Sequence, residues 1–325
     1  MGIITVIGSM NMDLVVRTPR IPRAGETLAG TEFHTIPGGK GANQAVAAAR
    51  AGAQTFMVGC VGRDAFGKEL QDSLTCARVD VSGVESLAGI STGTATILVE
   101  DGGQNRIIIV AGANGEVTPA IIEKEWSAIQ KSDLILLQHE IPLETIHFTL
   151  QKAHSQNIAT LLNPAPFYAF DAGLLHLVNF LVLNDLEATA LTHLEVNSVE
   201  SALKAALFLR LRGAGSVIIT LGALGAVLLD AESALFQPAF EVDAVDSTAA
   251  GDTFIGAFAA SFLSSHDPES ALLYATAASA LSVTRLGAQT SIPRREEVEK
   301  FIRQHNNQQV ISLQQENTGG ETELS

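Results

Sequence analysis

The chain has 325 residues, enough for one large or two ordinary domains around a sizeable buried core. Lys and Arg together number 20 against 35 Asp and Glu, and the resulting net charge of −15 repels nucleic acid and anionic lipid, so neither is expected as the main partner. Cys60 and Cys76 are the two cysteines, too few for a disulfide scaffold or a cysteine-built metal site.

The opening MGIITVIGSMNMD lacks the basic leader of a signal peptide, and no apolar run reaches the roughly 20 residues that span a bilayer, so a cytoplasmic protein with no membrane partner is expected. ITVIGS (4–9) reads as a buried strand ending in a Gly-Ser turn. Residues 14–36 and 93–111 break the later rhythm. Both read as short strands, the second pair joined by the turn signal EDGGQ, and together they are expected to form a small antiparallel flap over the sheet edge, a lid. Between them, PGGKGANQ (37–44) is a glycine-rich turn leading into the alanine-rich helix 42–52.

DLILLQ (133–138), NFLVLN (179–184) and SVIITLG (216–222) repeat the strand pattern, with helical stretches such as 199–213 between them. The alternation predicts an α/β fold with a mainly parallel central sheet, its functional groups at the strand C-terminal ends. Aromatic residues are 5% of the chain, so its core is expected to consist of Ala, Val, Ile and Leu. A helix is predicted from Arg295 to about Gln304. One continuous domain over 1–305 is the simplest account, and the polar stretch 306–325 reads as disordered.

Three turns carry chemistry. In VDSTAAGDTF (245–254), Asp252 stands at the mouth of a predicted helix, where it either caps that helix or takes a proton from a nearby hydroxyl while the preceding amides hold a phosphate. PGGKGANQ offers Lys40 and Asn43 to hydroxyls or is a plain tight turn with an exposed lysine; it lacks the spacing of a Walker A motif. NDLE (184–187) is either a helix cap or an amide and carboxylate suited to water-mediated Mg²⁺. VIGSMNMD lacks the G-x-G-x-x-G of a dinucleotide-binding turn.

GSMNMD (8–13), GGKGANQAVAAARAG (38–52), IIVAGAN (108–114), LLNPAP (161–166), NDLEATALT (184–192), ITLGALG (219–225), VDSTAAGDTF and VTRLGAQTSIP (283–293) stand in an order that resembles the ribokinase group of the PfkB carbohydrate kinases, over about residues 3–303. The resemblance implies a ribokinase-like three-layer sandwich with a small β-strand lid, and ATP-dependent phosphorylation of D-ribose at O5. It assigns the base to Asp252, the anion hole to Ala249, Ala250 and Gly251, and the sugar site to Asn11, Asp13, Gly39, Lys40, Asn43 and Glu140. Nucleotide contacts fall on Asn184, Thr220, Gly222, Gly251 and Thr276. Glu187 is matched to hydrated Mg²⁺. A monovalent cation, K⁺, is implied beside Asp246, Thr248, Ser282, Arg285, Gly287 and Ser291, several through backbone carbonyls. A homodimer formed through the lid is also implied.

Asn11 and Asp13 are expected to present an acceptor-rich pair to vicinal hydroxyls, with Lys40 donating to another. The loop reads AAGD where the family usually has GAGD, and Thr276 replaces a histidine found in some relatives; the first change keeps the amides, the second bears on nucleotide affinity. His139 and His154 match no functional position and are expected to be structural. The alternatives are another PfkB sugar or nucleoside kinase, acting on deoxyribose, fructose or adenosine, and a non-catalytic sugar sensor.

Overall fold

Along Leu134–Gln138, Leu134 and Leu136 face one core while Ile135 and Leu137 face another, and the same alternation holds for Val182 against Leu181 and Leu183. Period-two burial on both faces is what a central parallel strand requires. The computed structural model describes residues 2–102, 104–168 and 171–313.

The central sheet runs Ile311–Ser312, Ala234–Pro238, Gly225–Leu229, Ser216–Thr220, Phe180–Asn184, Ala159–Asn163, Leu134–Gln138, Ile3–Ile7, Gln54–Gly62 and Val79–Leu87 from edge to edge. Pairing is parallel from Ser216–Thr220 to Val79–Leu87 and antiparallel among the remaining strands. The predicted strands and the mainly parallel sheet are present, with helices on both faces making three layers. Strand order reverses at Ile3–Ile7, which lies between Gln54–Gly62 and Leu134–Gln138. Such a reversal leaves a crevice beyond the strand C-termini, where α/β proteins bind ligands.

One face is covered by Lys40–Arg50, Ala250–Ser265 and Pro268–Ser282. Residues 41–48 of the first helix are all buried, an arrangement that alanine and glycine permit by leaving room for neighbours on every side. A Cβ at Gly256 would lie 2.5 Å from both Ala47 Cβ and the Gln44 carbonyl, so the glycine sets how closely the helices Lys40–Arg50 and Ala250–Ser265 approach.

The lid is a four-stranded sheet in the order Glu32–Gly38, Asn11–Thr18, Gly93–Glu100, Asn105–Val110. It differs from the expected antiparallel flap in two ways. Its central pair, Asn11–Thr18 with Gly93–Glu100, is parallel, because both strands leave the body in the same direction. Its first strand starts at Asn11, so Asn11 and Asp13 belong to the lid's root and not to a free loop. Gly103 of the EDGGQ turn lies outside the described residues.

Helix Arg295–Gln304 matches its expected span. The tail departs from expectation up to Leu313: Ile311–Ser312 adds to the edge strand Ala234–Pro238, and the Leu313 amide donates to the Ala234 carbonyl at 2.7 Å. An unpaired sheet edge offers a backbone partner even to a polar segment. Residues 314–325 lie outside the described residues.

Candidate active site

The PGGKG turn is glycine-rich because another backbone lies on it. A Cβ at Gly39 would come within 2.6 Å of the Asn11 amide nitrogen, and one at Gly41 within 2.6 Å of Ser9 N; Gly39 also holds φ at 91°, where a side chain is strained. The helix therefore begins at Lys40, two residues earlier than expected, directly beneath the loop that follows Ile3–Ile7. Glu140, just past the neighbouring strand, faces this helix start. Its Oε2 accepts from Ser9 Oγ at 2.5 Å, the Lys40 amide at 3.1 Å and, at the long limit of 3.5 Å, Asn11 Nδ2. A carboxylate suits the positive end of a helix.

Lys40 is not the exposed lysine of a plain turn. Burial works against its ammonium, but the carboxylates of Asp252, Glu140 and Glu187 outweigh that and hold its pKa above the ordinary value. Glu140 is raised in turn, chiefly by burial. Burial, with Glu140 and Asp252 adding like charge, pushes the Asp13 carboxyl up to about 7.

Asp252 lies in the first turn of Ala250–Ser265, 7% exposed. That helix has no side-chain cap, so the capping reading of Asp252 fails. Its oxygens instead reach across to the helix Lys40–Arg50: Asn43 Nδ2 donates to Oδ2 and Gln44 Nε2 to Oδ1, both at 3.0 Å. Ala249 enters the helix in the left-handed region, φ 60°. The Ala250 amide donates to the Ser247 carbonyl at 3.2 Å, which leaves Ala249 and Gly251 as the first amides to consider for an anion.

Asn184 does cap its helix. Its Oδ1 accepts the Glu187 amide at 2.7 Å while Glu187 Oε2 accepts the Asn184 amide at 3.0 Å, a reciprocal capping box. Capping leaves the ligand reading open, because Asn184 and Glu187 also line a cavity of ≈ 230 Å³ shared with Lys40, Thr220, Gly251 and Asp252. Burial raises the Glu187 pKa. A second cavity of ≈ 280 Å³ borders Asn11, Asn114 and Glu140 on the lid side.

The pfkB carbohydrate kinase family model matches residues 1–295. The chain belongs to the pfkB family of carbohydrate kinases. This pfkB chain is 43% identical over 309 residues to the ribokinase of Schizosaccharomyces pombe, covering 91% of this chain and 96% of that one. It is 41% identical over 300 residues to the ribokinase of Bacillus subtilis, covering 92% and 99%. A solved structure of Arabidopsis thaliana ribokinase complexed with ribose and ATP superposes with a TM-score of 0.88 at 31% identity, covering 93% of this chain and 98% of that one.

Within the pfkB frame, the geometry changes the expected part of Asn11. Asn114 Oδ1 accepts the Met10 amide at 2.9 Å, and Asn114 Nδ2 donates to the Met10 carbonyl at 3.1 Å and to Asn11 Oδ1 at 2.7 Å. Because Met10 N is an unambiguous donor, the chain of bonds has one polarity, and Asn11 presents its NH₂ to the cleft. The pair is therefore donor plus carboxylate, not acceptor-rich. Asn43 supplies an acceptor: its Oδ1 is buried with no partner among the described residues.

Thr276 is 6% exposed, bonds its hydroxyl to the Leu272 carbonyl at 2.9 Å and does not border either cavity. Gly222 opens a short 3-10 turn at φ 54° with free space where a Cβ would stand. The segments named for the cation do meet: Asp246 Oδ1 accepts the Thr248 amide and Oδ2 the Gly287 amide, each at 2.9 Å. Arg285 spends its guanidinium on Glu297 at 2.5 Å, and the Ser282 and Ser291 hydroxyls donate to the carbonyls of Ser279 and Ala288. Among the described residues no three of His, Cys, Asp or Glu converge as a metal cluster, so any cation here would rely on carbonyl and hydroxyl oxygens.

Ser9, Gln44, Asn114, Gln138 and Asn163 hydrogen-bond to the candidate site residues or to one another and were not singled out from the sequence, although all five lie inside stretches quoted above. Their common signal is an amide or hydroxyl within an otherwise small or apolar run. His139, buried and pulled down to about 4 by burial and His147, is neutral at ordinary pH. His154 packs edge-on against His176 at 6.1 Å.

Proposed function

We propose that this pfkB chain transfers the γ-phosphoryl group of ATP to O5 of D-ribose, giving D-ribose 5-phosphate and ADP. The observation that carries the reading is Asp252, tied at both oxygens by Asn43 and Gln44 between a hydroxyl-binding side and the Asn184 cavity. Asp252 takes the O5 proton as the O5–phosphorus bond forms and the bond from phosphorus to the ADP oxygen breaks. Asp13, Asn11, Asn43 and Glu140 orient the sugar, and Gly39 lets the Asn11 backbone close on the start of the helix. Asn43 Oδ1, an orphaned acceptor, gains a partner when a sugar hydroxyl donates to it, which favours polyhydroxylated acceptors.

Lys40 and the Ala249 and Gly251 amides face the developing phosphoryl charge. Asn184, Thr220 and Gly222 take the nucleotide; Thr276 would act only by shaping the helix behind it. The residues present fit hydrated Mg²⁺: the Glu187 carboxylate borders the same cavity, and oxygen is the ligand that ion takes. When bound, Mg²⁺ neutralises phosphate charge. The Asp246 and 282–291 segments fit K⁺ in the same sense, since the Asp246 carboxylate is occupied by backbone amides and carbonyl oxygens remain.

The lid reads as a homodimer surface. Ile107, Ile108, Ile109 and Val110 on its edge strand are each at least half exposed, an apolar row that a second lid would cover. A cytoplasmic setting fits the two free cysteines, Cys60 and Cys76.

The test is ADP release with ATP and Mg²⁺ across ribose, deoxyribose, fructose, adenosine and no acceptor, with product mass read in parallel and K⁺ exchanged for Na⁺ at fixed ionic strength. Ribose-dependent turnover to a mono-phosphorylated pentose is expected, faster in K⁺. Dominant turnover of another acceptor would overturn the sugar assignment, and ribose binding without transfer would establish a sensor.

A further inference from the structure

We infer that Gln44 is a positioning residue for Asp252, fixing the direction in which that carboxylate meets the acceptor hydroxyl. The inference rests on reading Asp252 as the base, and it says what the Gln44 bond to that base does for the reaction.

Gln44 is fully buried in a helix whose other buried side chains are mostly alanine, where a polar amide costs desolvation that an apolar residue would avoid. Its bonds have a single consistent polarity. Asn163 Nδ2 donates to the Val182 carbonyl at 3.0 Å, and a carbonyl can only accept. Asn163 therefore turns Oδ1 toward Gln44, whose Nε2 donates to it at 3.4 Å and to Asp252 Oδ1 at 3.0 Å. From the other side Gln138 Nε2 donates to Gln44 Oε1 at 2.7 Å. Reversing the Gln44 amide would face its oxygen with two acceptors and its NH₂ with a donor.

The relay thus starts from a sheet carbonyl and the end of a central strand, and it terminates on the base. With Asn43 on Oδ2, two consecutive residues of one helix hold both oxygens of Asp252. Rotation of the carboxylate would break both bonds, so the lone pairs left for the acceptor keep one orientation.

The experiment uses the full chain with ribose as the probe acceptor and three variants, Gln44→Met, Gln44→Glu and Asp252→Ala. Gln44→Met removes the donor at near-constant volume; kcat should fall about a hundredfold while the ribose KM stays within about threefold. In Gln44→Glu an ionised side chain repels Asp252, whereas the protonated acid donates to it. Its kcat deficit against wild type should narrow by about tenfold as the pH is lowered from about 8 to about 6. A structural role alone leaves that ratio flat. A flat ratio, or a Gln44→Met kcat within about threefold of wild type, overturns the positioning role while an inactive Asp252→Ala preserves the base. If Gln44→Met does not fold, the Gln44→Glu ratio decides. Wild-type turnover in Asp252→Ala overturns the base and this inference with it.

Discussion

Asn43 donates its side-chain amide to Asp252 Oδ2 at 3.0 Å across 209 residues of sequence, joining the start of one helix to the start of another. Neither residue is at the surface. The contact makes one unit of two turns that appear in the sequence as separate motifs, and on the proposed function it ties the acceptor side of the cleft to the phosphate side.

Replacing Asp252 with alanine removes the proton acceptor and leaves Asn11, Asp13 and Glu140 in place. Turnover should fall by about 10²–10⁴-fold, while ribose binding measured by calorimetry stays within severalfold of wild type. Near-normal turnover would contradict the assignment of the base.

Asn114→Leu deletes the three bonds that hold Met10 and Asn11. The Asn11 amide is then free to rotate, and the ribose KM should rise about tenfold, the equivalent of one net hydrogen bond, with a smaller change in kcat. Steady-state kinetics with ribose varied would reveal the split; an unchanged KM would show that Asn11 needs no clamp.

The Asp13 carboxyl, pushed up to about 7 by burial and its carboxylate neighbours, makes stability depend on pH. A folded-state pKa above the unfolded value near 4 means the favourable protonated form is fully present in acid, and its contribution is lost as pH rises through about 7. Asp13→Asn removes that loss. The variant should melt above wild type at about pH 8, with the gain shrinking as the pH falls toward about 4. The ligand-free proteins are the ones to compare, by thermal melts across this range.

A methyl group at Gly256 has no room against Ala47, Gln44 and the Ala48 amide. Gly256→Ala should cost about 1–3 kcal/mol of stability in urea unfolding, as overpacking does. It should also lower kcat, because the helices that separate are those carrying Asn43 and Asp252. A stability loss with kcat intact would show that the two helices part without opening that contact.

The strand and helix alternation was readable because parallel strands are apolar on both faces and their crossovers are amphipathic or alanine-rich. So was the placement of Asp252, Lys40 and Asn184 at or beside the starts of helices. The parallel pairing of Asn11–Thr18 with Gly93–Glu100 was not, since it joins segments far apart in sequence with no local signal of register. Nor were the amide polarities: Asn11 looks the same whether it donates or accepts, and only the Met10 backbone beyond Asn114 decides. Gln44 sits among alanines that signal packing. Thr276 is the opposite case, a position assigned by resemblance whose hydroxyl is taken up by its own helix.

The strand Asn11–Thr18 begins with two residues of the proposed sugar site and runs outward as the centre of the lid. Its 8 residues make an arm of about 26 Å. A tilt of about 10° about its root would carry the tip about 4–5 Å while Asn11 hardly moves. On the proposed function, recognition and enclosure become one lever with its fulcrum at the acceptor: hydroxyls that settle Asn11 and Asp13 would also set the angle of the arm, and a force on the far end would be felt at the sugar.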